Sequence, residues 1–141
     1  MIERFFADYA KRFNDSLKEP PVVDVAGVRN AFADYFVGAS PVGVKGARNG
    51  LIFRFMIPRG FAHYKKIGTT AMNVTSVVVT AIDDLHVMAS VAWDSRYRKD
   101  GREIAIPFEN VYLLQITDKG PKIFAYVTGD EQKVLREHGL V

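Results

Sequence analysis

Three side chains in this sequence are best suited to acid, base or hydrogen-bond chemistry, namely Glu109, Tyr9 and His63. Glu109 is the only acidic residue in the long apolar run 104–117. Because apolar residues occupy both alternating faces of this run, we expect that the carboxylate is not fully solvated. A carboxyl group in apolar surroundings holds its proton near neutral pH and can then donate a hydrogen bond. An exposed or salt-bridged carboxylate is the alternative, and the sequence leaves both open.

His63 is the second candidate for acid or base chemistry. It follows Phe61 in an apolar segment, and an imidazole titrates near neutral pH, so it suits the mouth of a cavity. The histidines are not spaced as metal ligands are, and cysteine is absent. No glycine-rich phosphate loop, serine elbow or dinucleotide fingerprint is present. We therefore predict neither a metal nor another cofactor.

Large aromatic residues form a second group of candidates. Trp93 and Tyr97 alternate with Asp94 and Arg96, so the rings share one strand face and the charges share the other. We predict that the aromatic face, with Phe53 from a helical segment, forms the walls of a binding site. Core packing is the alternative role for these rings. Asp94 and Arg96 are interpreted as a surface ion pair.

The composition is that of a small globular protein. A chain of 141 residues has the length of a single domain, predicted over 1–141, that buries about two-thirds of its unfolded surface. The 19 Lys and Arg residues are mostly interspersed with acidic or apolar ones, which argues weakly against nucleic acid binding. No run approaches the ~18 apolar residues of a membrane span, and the N-terminus lacks an apolar signal-peptide centre. We predict no nucleic acid, no membrane and a cytoplasmic location.

The first half of the chain shows mainly helical periodicity. Apolar residues recur at three- and four-residue steps over 2–17, which predicts an amphipathic helix. Asp24 is the predicted cap of a second helix, whose apolar side extends to Tyr35. The glycine-rich segment 36–46 alternates poorly and is interpreted as a short strand or edge segment. These elements would precede a larger helical region.

Two further helices are predicted later in the chain. The first covers 51–66 and should break near Ile57, because Pro58 removes a backbone hydrogen bond and kinks a helix. The second begins at Thr128, which precedes Glu131 in the form of a capping box. It would end at Gly139.

Strand periodicity dominates the second half of the chain. It predicts four consecutive strands, over 72–82, 85–98, 104–117 and 121–128. At roughly 3.4 Å per residue the third strand would span about 45 Å, which exceeds the ~35 to 40 Å breadth of a compact domain. It must bend or twist, and Pro107 marks a position where a bend is tolerated. Helices followed by this meander predict an α+β domain with helices on one face of a curved antiparallel sheet.

The two apolar faces of the run 104–117 also predict a partner. One face would contact the helices, and the other needs a cover. The simplest cover is a second copy of the same sheet, since most soluble oligomers are symmetric dimers. We therefore predict a homodimer through the outer sheet face.

Three short motifs add a family resemblance to this pattern. They are Phe32-Ala33-Asp34, Ser40-Pro41-Val42-Gly43 and Pro107-Phe108-Glu109. With the order of elements, they resemble the nuclear transport factor 2-like superfamily, which includes SnoaL-like polyketide cyclases and ketosteroid isomerases. The resemblance implies a cone-shaped, cystatin-like fold, in which N-terminal helices cover the concave face of the sheet.

The resemblance also assigns roles to residues. Ser40 stands where the isomerases have the aspartate that shuttles the proton, and a serine hydroxyl cannot replace that base. Glu109 is similar in position to the acid of the isomerase oxyanion hole, and Tyr9 to the isomerase tyrosine. The candidate catalytic residues are therefore Glu109, Tyr9 and His63, and the candidate ligand-binding residues are Phe53, Trp93, Tyr97, Tyr35 and Ser40.

Together these features predict a small-molecule-binding protein of SnoaL-like type with an apolar pocket. An isomerase, a cyclase or a hydrolase of an apolar compound would fit, and the sequence does not decide whether the protein is an enzyme. The alternative is a non-catalytic dimeric binding or scaffold module. Several polar groups directed into one cavity would favour the first hypothesis.

Overall fold

The computed structural model describes residues 1–141 as four helices and six strands. The helices are α1 (Ile2–Ser16), α2 (Val25–Asn30), α3 (Leu51–Lys66) and α4 (Glu131–Glu137). The strands are β1 (Phe32–Ser40), β2 (Gly43–Arg48), β3 (Thr69–Ala81), β4 (His86–Lys99), β5 (Arg102–Thr117) and β6 (Gly120–Val127). The predicted α+β class with N-terminal helices on a curved sheet is confirmed. No helix is both long and apolar enough to cross a membrane.

All six strands form one sheet in the order β2-β1-β6-β5-β4-β3. The pairing of β1 with β6 is parallel, and every other pairing is antiparallel. A two-residue turn joins β4 to β5, with Asp100 at φ 53° and Gly101 at φ 75°. Positive φ at both residues belongs to the turn type whose twist matches that of the flanking strands. This turn pairs Lys99 with Arg102 and sets the register of the two longest strands.

The curvature of the sheet coincides with irregular pairing rather than with Pro107. Pro107 pairs in regular register with Asp94. The register shifts instead between Leu113 and Leu114 where β5 pairs with β6, and at two places where β3 pairs with β4. An extra residue bends a strand and increases its twist. The extra residues lie in β6, at Phe124, and in β3, at Thr70 and Thr75, so these two strands bend against the regularly paired β4 and β5.

Helix α1 supplies the helical side of the core. Ile2, Phe6 and Ala10 are buried and lie four residues apart, and Phe13, three residues further on, packs against the same cluster. They contact the concave face of the sheet, where Val91 and Leu114 are fully buried. The three- and four-residue spacing explains why this segment is helical and which side it buries.

The predicted extension of α2 to Tyr35 is wrong. The helix ends at Asn30, and residues 32–40 form β1, which pairs with β2 on one side and with β6 on the other. Phe32 and Phe36 are four residues apart, as on one side of a helix, but both rings belong to β1 and are buried against the core. Pairing on both edges satisfies the backbone better than a helical continuation, so tertiary contacts override the local pattern. The segment 36–46, expected as a short strand or edge segment, lies in the β1–β2 hairpin, and β2 is an edge strand of the sheet.

Two further expectations about helices are also corrected. Helix α3 runs through Pro58 without ending near Ile57. Ile57 and Phe61 lie on either side of the proline and both face inward, so packing keeps both halves helical. The cap of α4 is Asp130, whose side chain accepts the Lys133 N–H at 3.1 Å, and not Thr128.

A candidate binding site at the concave face of the sheet

The concave face of the sheet, α1, α3 and α4 enclose a cavity of about 370 Å³. Its aromatic wall includes Tyr9 from α1 and Trp93, Phe108 and Tyr112 from β4 and β5. Trp93 and Phe108 face each other across the two strands with an interplanar angle of 10°. Such rings give a large apolar surface with few mobile torsions. The predicted wall residues Trp93 and Tyr97 both line this cavity.

The polar groups of the cavity are mostly uncharged. Trp93 is 3% exposed, and its indole N–H is buried beside the Tyr112 hydroxyl without a hydrogen bond of ordinary geometry. Asn110 donates from Nδ2 to the Tyr112 hydroxyl over 3.3 Å. Tyr9 and Tyr97 add two more phenols to the lining. A buried indole N–H without a hydrogen bond of ordinary geometry is costly, so this cavity wall favours a ligand that supplies an acceptor.

Burial keeps the cavity phenols protonated. It raises the pKa of Tyr9 and of Tyr64 far above the ordinary phenol value, and the Glu131 carboxylate raises that of Tyr64 further. Burial likewise raises the pKa of Tyr97 and of Tyr112. A neutral phenol is a hydrogen-bond donor as well as an acceptor. The site therefore offers several neutral donors around an apolar space.

The rim of the cavity carries negative charge. The Tyr64 hydroxyl on α3 donates a hydrogen bond to the Glu131 carboxylate at the start of α4, with 2.5 Å between the two oxygens. Asp130 lies beside Glu131 and caps the same helix. Two carboxylates at the rim repel anions and favour neutral or cationic ligands.

Glu109 does not project into the cavity, although its backbone borders it. Its carboxylate accepts a hydrogen bond from Ser90 on the opposite, outer face of the sheet. Glu109 pairs with Ala92, while Trp93 and Phe108 pair with each other and face inward. Side chains alternate between the faces of a strand, so a residue next to Phe108 must face outward. The predicted role of Glu109 as a buried acid of the pocket is therefore corrected.

The remaining candidates are also distributed outside the cavity. His63 is exposed on α3 and borders a shallow surface depression beside Arg98 and Lys99. Phe53 packs against Phe36, with ring centroids 4.9 Å apart, in a different groove. Tyr35 is 56% exposed on the β1–β2 hairpin.

Ser40, the last of the predicted site residues, lies at the β1–β2 turn. It accepts the Val42 N–H at 3.3 Å and does not line the cavity. Of the eight predicted site residues, Tyr9, Trp93 and Tyr97 direct side chains toward the cavity. Nowhere in the structure do three His, Asp or Glu side chains lie close enough together to hold a metal ion.

The polar residues of the cavity that sequence reasoning missed include Asn110, Tyr112 and Tyr64. Asn110 and Tyr112 share the inward face of β5 with Phe108, so strand alternation was a signal that could have found them. Tyr64 follows Phe53 by 11 residues, or three helical turns, on the inward side of α3. Its contact with Glu131 joins two elements 67 residues apart, and no local pattern predicts such a contact.

The raised pKa values predict a defined response to alkali. Unfolded tyrosines release their protons near pH 10, whereas the folded protein holds the protons of Tyr9 and Tyr64. Below pH 10 these phenols have no pH-dependent effect on the free energy of unfolding. Above pH 10 the free energy of unfolding falls, because the unfolded chain releases protons that the folded protein keeps. We expect tyrosinate absorbance at 295 nm to lag behind that of the urea-unfolded protein and to rise with loss of circular dichroism. Titration of every phenol near pH 10 in a folded protein would contradict this.

The sequence profile of the family described as NTF2-like protein (DUF6841) matches residues 1–131. No curated protein matches this sequence. Among solved structures, an NTF2-like protein with a cystatin-like fold from Novosphingobium aromaticivorans has a TM-score of 0.68 at 15% identity, covering 99% of this chain and 86% of that one.

Two other solved structures show the same fold. A proposed aromatic ring hydroxylase, also from Novosphingobium aromaticivorans, has a TM-score of 0.66 at 19% identity, covering 92% of this chain and 86% of that one. Aln2 from a Streptomyces species has a TM-score of 0.65 at 15% identity, covering 96% of this chain and 92% of that one. Identities this low carry the fold alone. The family match, over most of the chain, goes further: this protein belongs to the NTF2-like family DUF6841.

Proposed function

We propose that the cavity binds a small, neutral, largely apolar molecule through one oxygen acceptor, such as a ketone. The observation that carries this proposal is the group of neutral hydrogen-bond donors in the cavity wall, namely Tyr9, Tyr112 and the buried indole N–H of Trp93, which makes no hydrogen bond of ordinary geometry. A ligand carbonyl would accept that hydrogen and remove the cost of an unsatisfied donor. Tyr9, on the facing helix, is a second donor for the same oxygen.

The size and charge of the cavity support the same ligand class. Its volume of about 370 Å³ lies near the lower end of the range for small-molecule sites. The lining is mainly hydrophobic, so most of the affinity would come from burial of apolar surface. Asp130 and Glu131 at the rim oppose an anionic ligand. A bicyclic ketone satisfies all three conditions.

The arrangement also suits a reaction in which negative charge develops on the bound oxygen. Neutral donors that are fixed before the reaction stabilise such an oxyanion without reorganisation. Trp93 and Tyr9 would supply the donors, and Glu131 at the rim would supply a carboxylate able to accept a proton. An isomerase, a cyclase or a hydrolase of SnoaL-like type is the corresponding proposal for an activity.

A dimeric, non-catalytic module is the second candidate function. The outer face of the sheet carries the exposed side chains of Val78, Met88 and Val127. The hydrogen bond from Ser90 to Glu109 lies on this same face, outside the cavity. Glu109 is therefore better placed to contact a partner subunit than a ligand in the cavity. We propose that a second copy covers the face. Sedimentation that shows only monomer at high micromolar concentration would exclude it.

A matched pair of ligands tests the cavity proposal. α-Tetralone and tetralin share a bicyclic skeleton, and only the ketone has an acceptor. We expect calorimetry to show tighter binding of α-tetralone, and Tyr9→Phe to weaken it about three- to tenfold, as the loss of one neutral hydrogen bond requires. Tetralin binding should not change in that variant, because its contacts are apolar.

The exposed Tyr35 provides the matched control. Tyr35→Phe also removes one phenol hydroxyl but lies on the hairpin, so it should leave the affinity for both compounds unchanged. Equal binding of α-tetralone and tetralin by the unchanged protein would contradict a role for an acceptor oxygen. Binding of neither compound would contradict the proposed ligand class.

A further inference from the structure

A second groove lies between α1 and α3, on the other side of the wall formed by Tyr9, Phe13 and Tyr64. Its volume is about 410 Å³, and ten of its twelve lining residues are hydrophobic. The two exceptions are Arg12 and Gly60. We propose that this groove is a distinct binding site for a medium-chain aliphatic carboxylate, with the carboxylate paired to Arg12 and the chain lying along α3.

Arg12 supplies a positive charge at the groove that can pair with a ligand carboxylate. Arg12 is half-buried on α1, and none of the ion pairs in the structure includes it. The nearby Asp24 accepts the Gly27 N–H at 2.9 Å as the cap of α2 and forms no ion pair with Arg12. A guanidinium binds carboxylates through two parallel hydrogen bonds. An unpaired guanidinium at an apolar groove therefore selects an anion with an apolar body.

The side of α3 that lines the groove is apolar and has room for an aliphatic chain. Phe53, Ile57 and Phe61 present their side chains to the groove at four-residue spacing. Gly60 lies on the same side of the helix, and a Cβ added there would meet no atom within 4 Å. Glycine inside a helix costs about 1 kcal/mol relative to alanine. The missing side chain leaves open space beside the helix, where the methylene chain of the proposed ligand would lie.

The two sites differ in the charge that they accept. Asp130 and Glu131 at the rim of the cavity disfavour anions, whereas Arg12 is the one charged side chain that lines the groove. Phe13 and Tyr64 separate the two spaces, with ring centroids 5.0 Å apart. A neutral ketone in the cavity and a carboxylate in the groove would therefore bind at the same time.

Decanoate, with 1-decanol as the uncharged control, tests the proposal by calorimetry. We expect Arg12→Met, which keeps an apolar stem but removes the charge, to weaken decanoate binding about tenfold or more. Binding of 1-decanol should change less than threefold. Arg136→Met, which removes an exposed arginine of α4, should leave both affinities unchanged.

Gly60→Leu tests the path of the chain independently of charge. Since the added side chain has room and improves helix propensity, the variant should fold and fill the groove. We expect it to weaken decanoate and 1-decanol binding alike, and to leave α-tetralone binding unchanged. Decanoate should also bind to protein saturated with α-tetralone.

Three results would overturn the proposal. They are no decanoate binding at millimolar concentration, equal decanoate affinity in Arg12→Met, and displacement of α-tetralone by decanoate. The groove site does not rest on the cavity proposal. Decanoate binding without α-tetralone binding would support the groove and reject the cavity, and the reverse result would do the opposite.

Discussion

Phe6→Ala should destabilise the protein by about 3–5 kcal/mol, the largest effect expected of any single substitution here. Phe6 is 0% exposed at the centre of the main core cluster. Its ring lies 4.8 Å from that of Tyr112 and 5.0 Å from that of Phe5. Removing it loses the transfer free energy of the ring and leaves a cavity between α1 and the sheet. Urea unfolding followed by circular dichroism gives the free energy of unfolding.

Phe55 provides the matched control for this substitution. It is 69% exposed on α3, so Phe55→Ala should change the free energy of unfolding by less than about 0.5 kcal/mol. A loss below about 1 kcal/mol for Phe6→Ala would show that α1 is not anchored in the core. The position of Tyr9 on the cavity wall would then lose its structural basis.

The second large effect is expected from Asn14→Ala. The Asn14 side chain donates from Nδ2 to the Met72 carbonyl and accepts the Met72 N–H, both at 2.8 Å. It thus completes the backbone pairing of β3, an edge strand of the sheet, at the point where α1 crosses it. Removal leaves two backbone groups of a buried residue without partners, which should cost about 2–3 kcal/mol.

Asn30→Ala is the control for Asn14→Ala. Asn30 ends α2 and is exposed, so its replacement should have little effect on the midpoint of urea unfolding. Equal midpoints for the two variants would mean that the amide of Asn14 does not hold the helix to the sheet. A double variant with Phe6→Ala measures whether the two anchors of α1 act independently.

The parts of the fold that follow a local period could be predicted from the sequence. The spacing over α1 predicts its buried side, and alternation along β4 predicts that Trp93 and Tyr97 share a face opposite Asp94 and Arg96. The structure bears out both, with an ion pair of 2.9 Å between Asp94 and Arg96. Such patterns are local consequences of helical and strand geometry.

The elements that were not predicted depend on contacts between distant segments. Phe32 belongs to a strand rather than to α2 because it pairs with Ile123, in a strand near the other end of the chain. The continuation of α3 through Pro58 likewise depends on packing, with Ile57 and Phe61 directed toward α1. Local propensity is a weak guide where tertiary contacts decide.

The orientation of Glu109 could have been predicted with one further step. The turn at Asp100 and Gly101 has two residues, so Lys99 pairs with Arg102, and counting outward pairs Trp93 with Phe108. Glu109 then lies on the sheet face opposite Trp93. The chemical type of Glu109 drew attention to it, but the register of the hairpin decides its role.

The most direct test of a cavity that recognises an acceptor oxygen is the indole resonance of Trp93. The chain contains one tryptophan, so a ¹⁵N-labelled sample gives a single indole N–H signal. We expect saturating α-tetralone to move the indole proton downfield, because its carbonyl would accept this hydrogen, and tetralin to produce no such shift. Saturable binding of α-tetralone that leaves this resonance where tetralin leaves it would contradict the account.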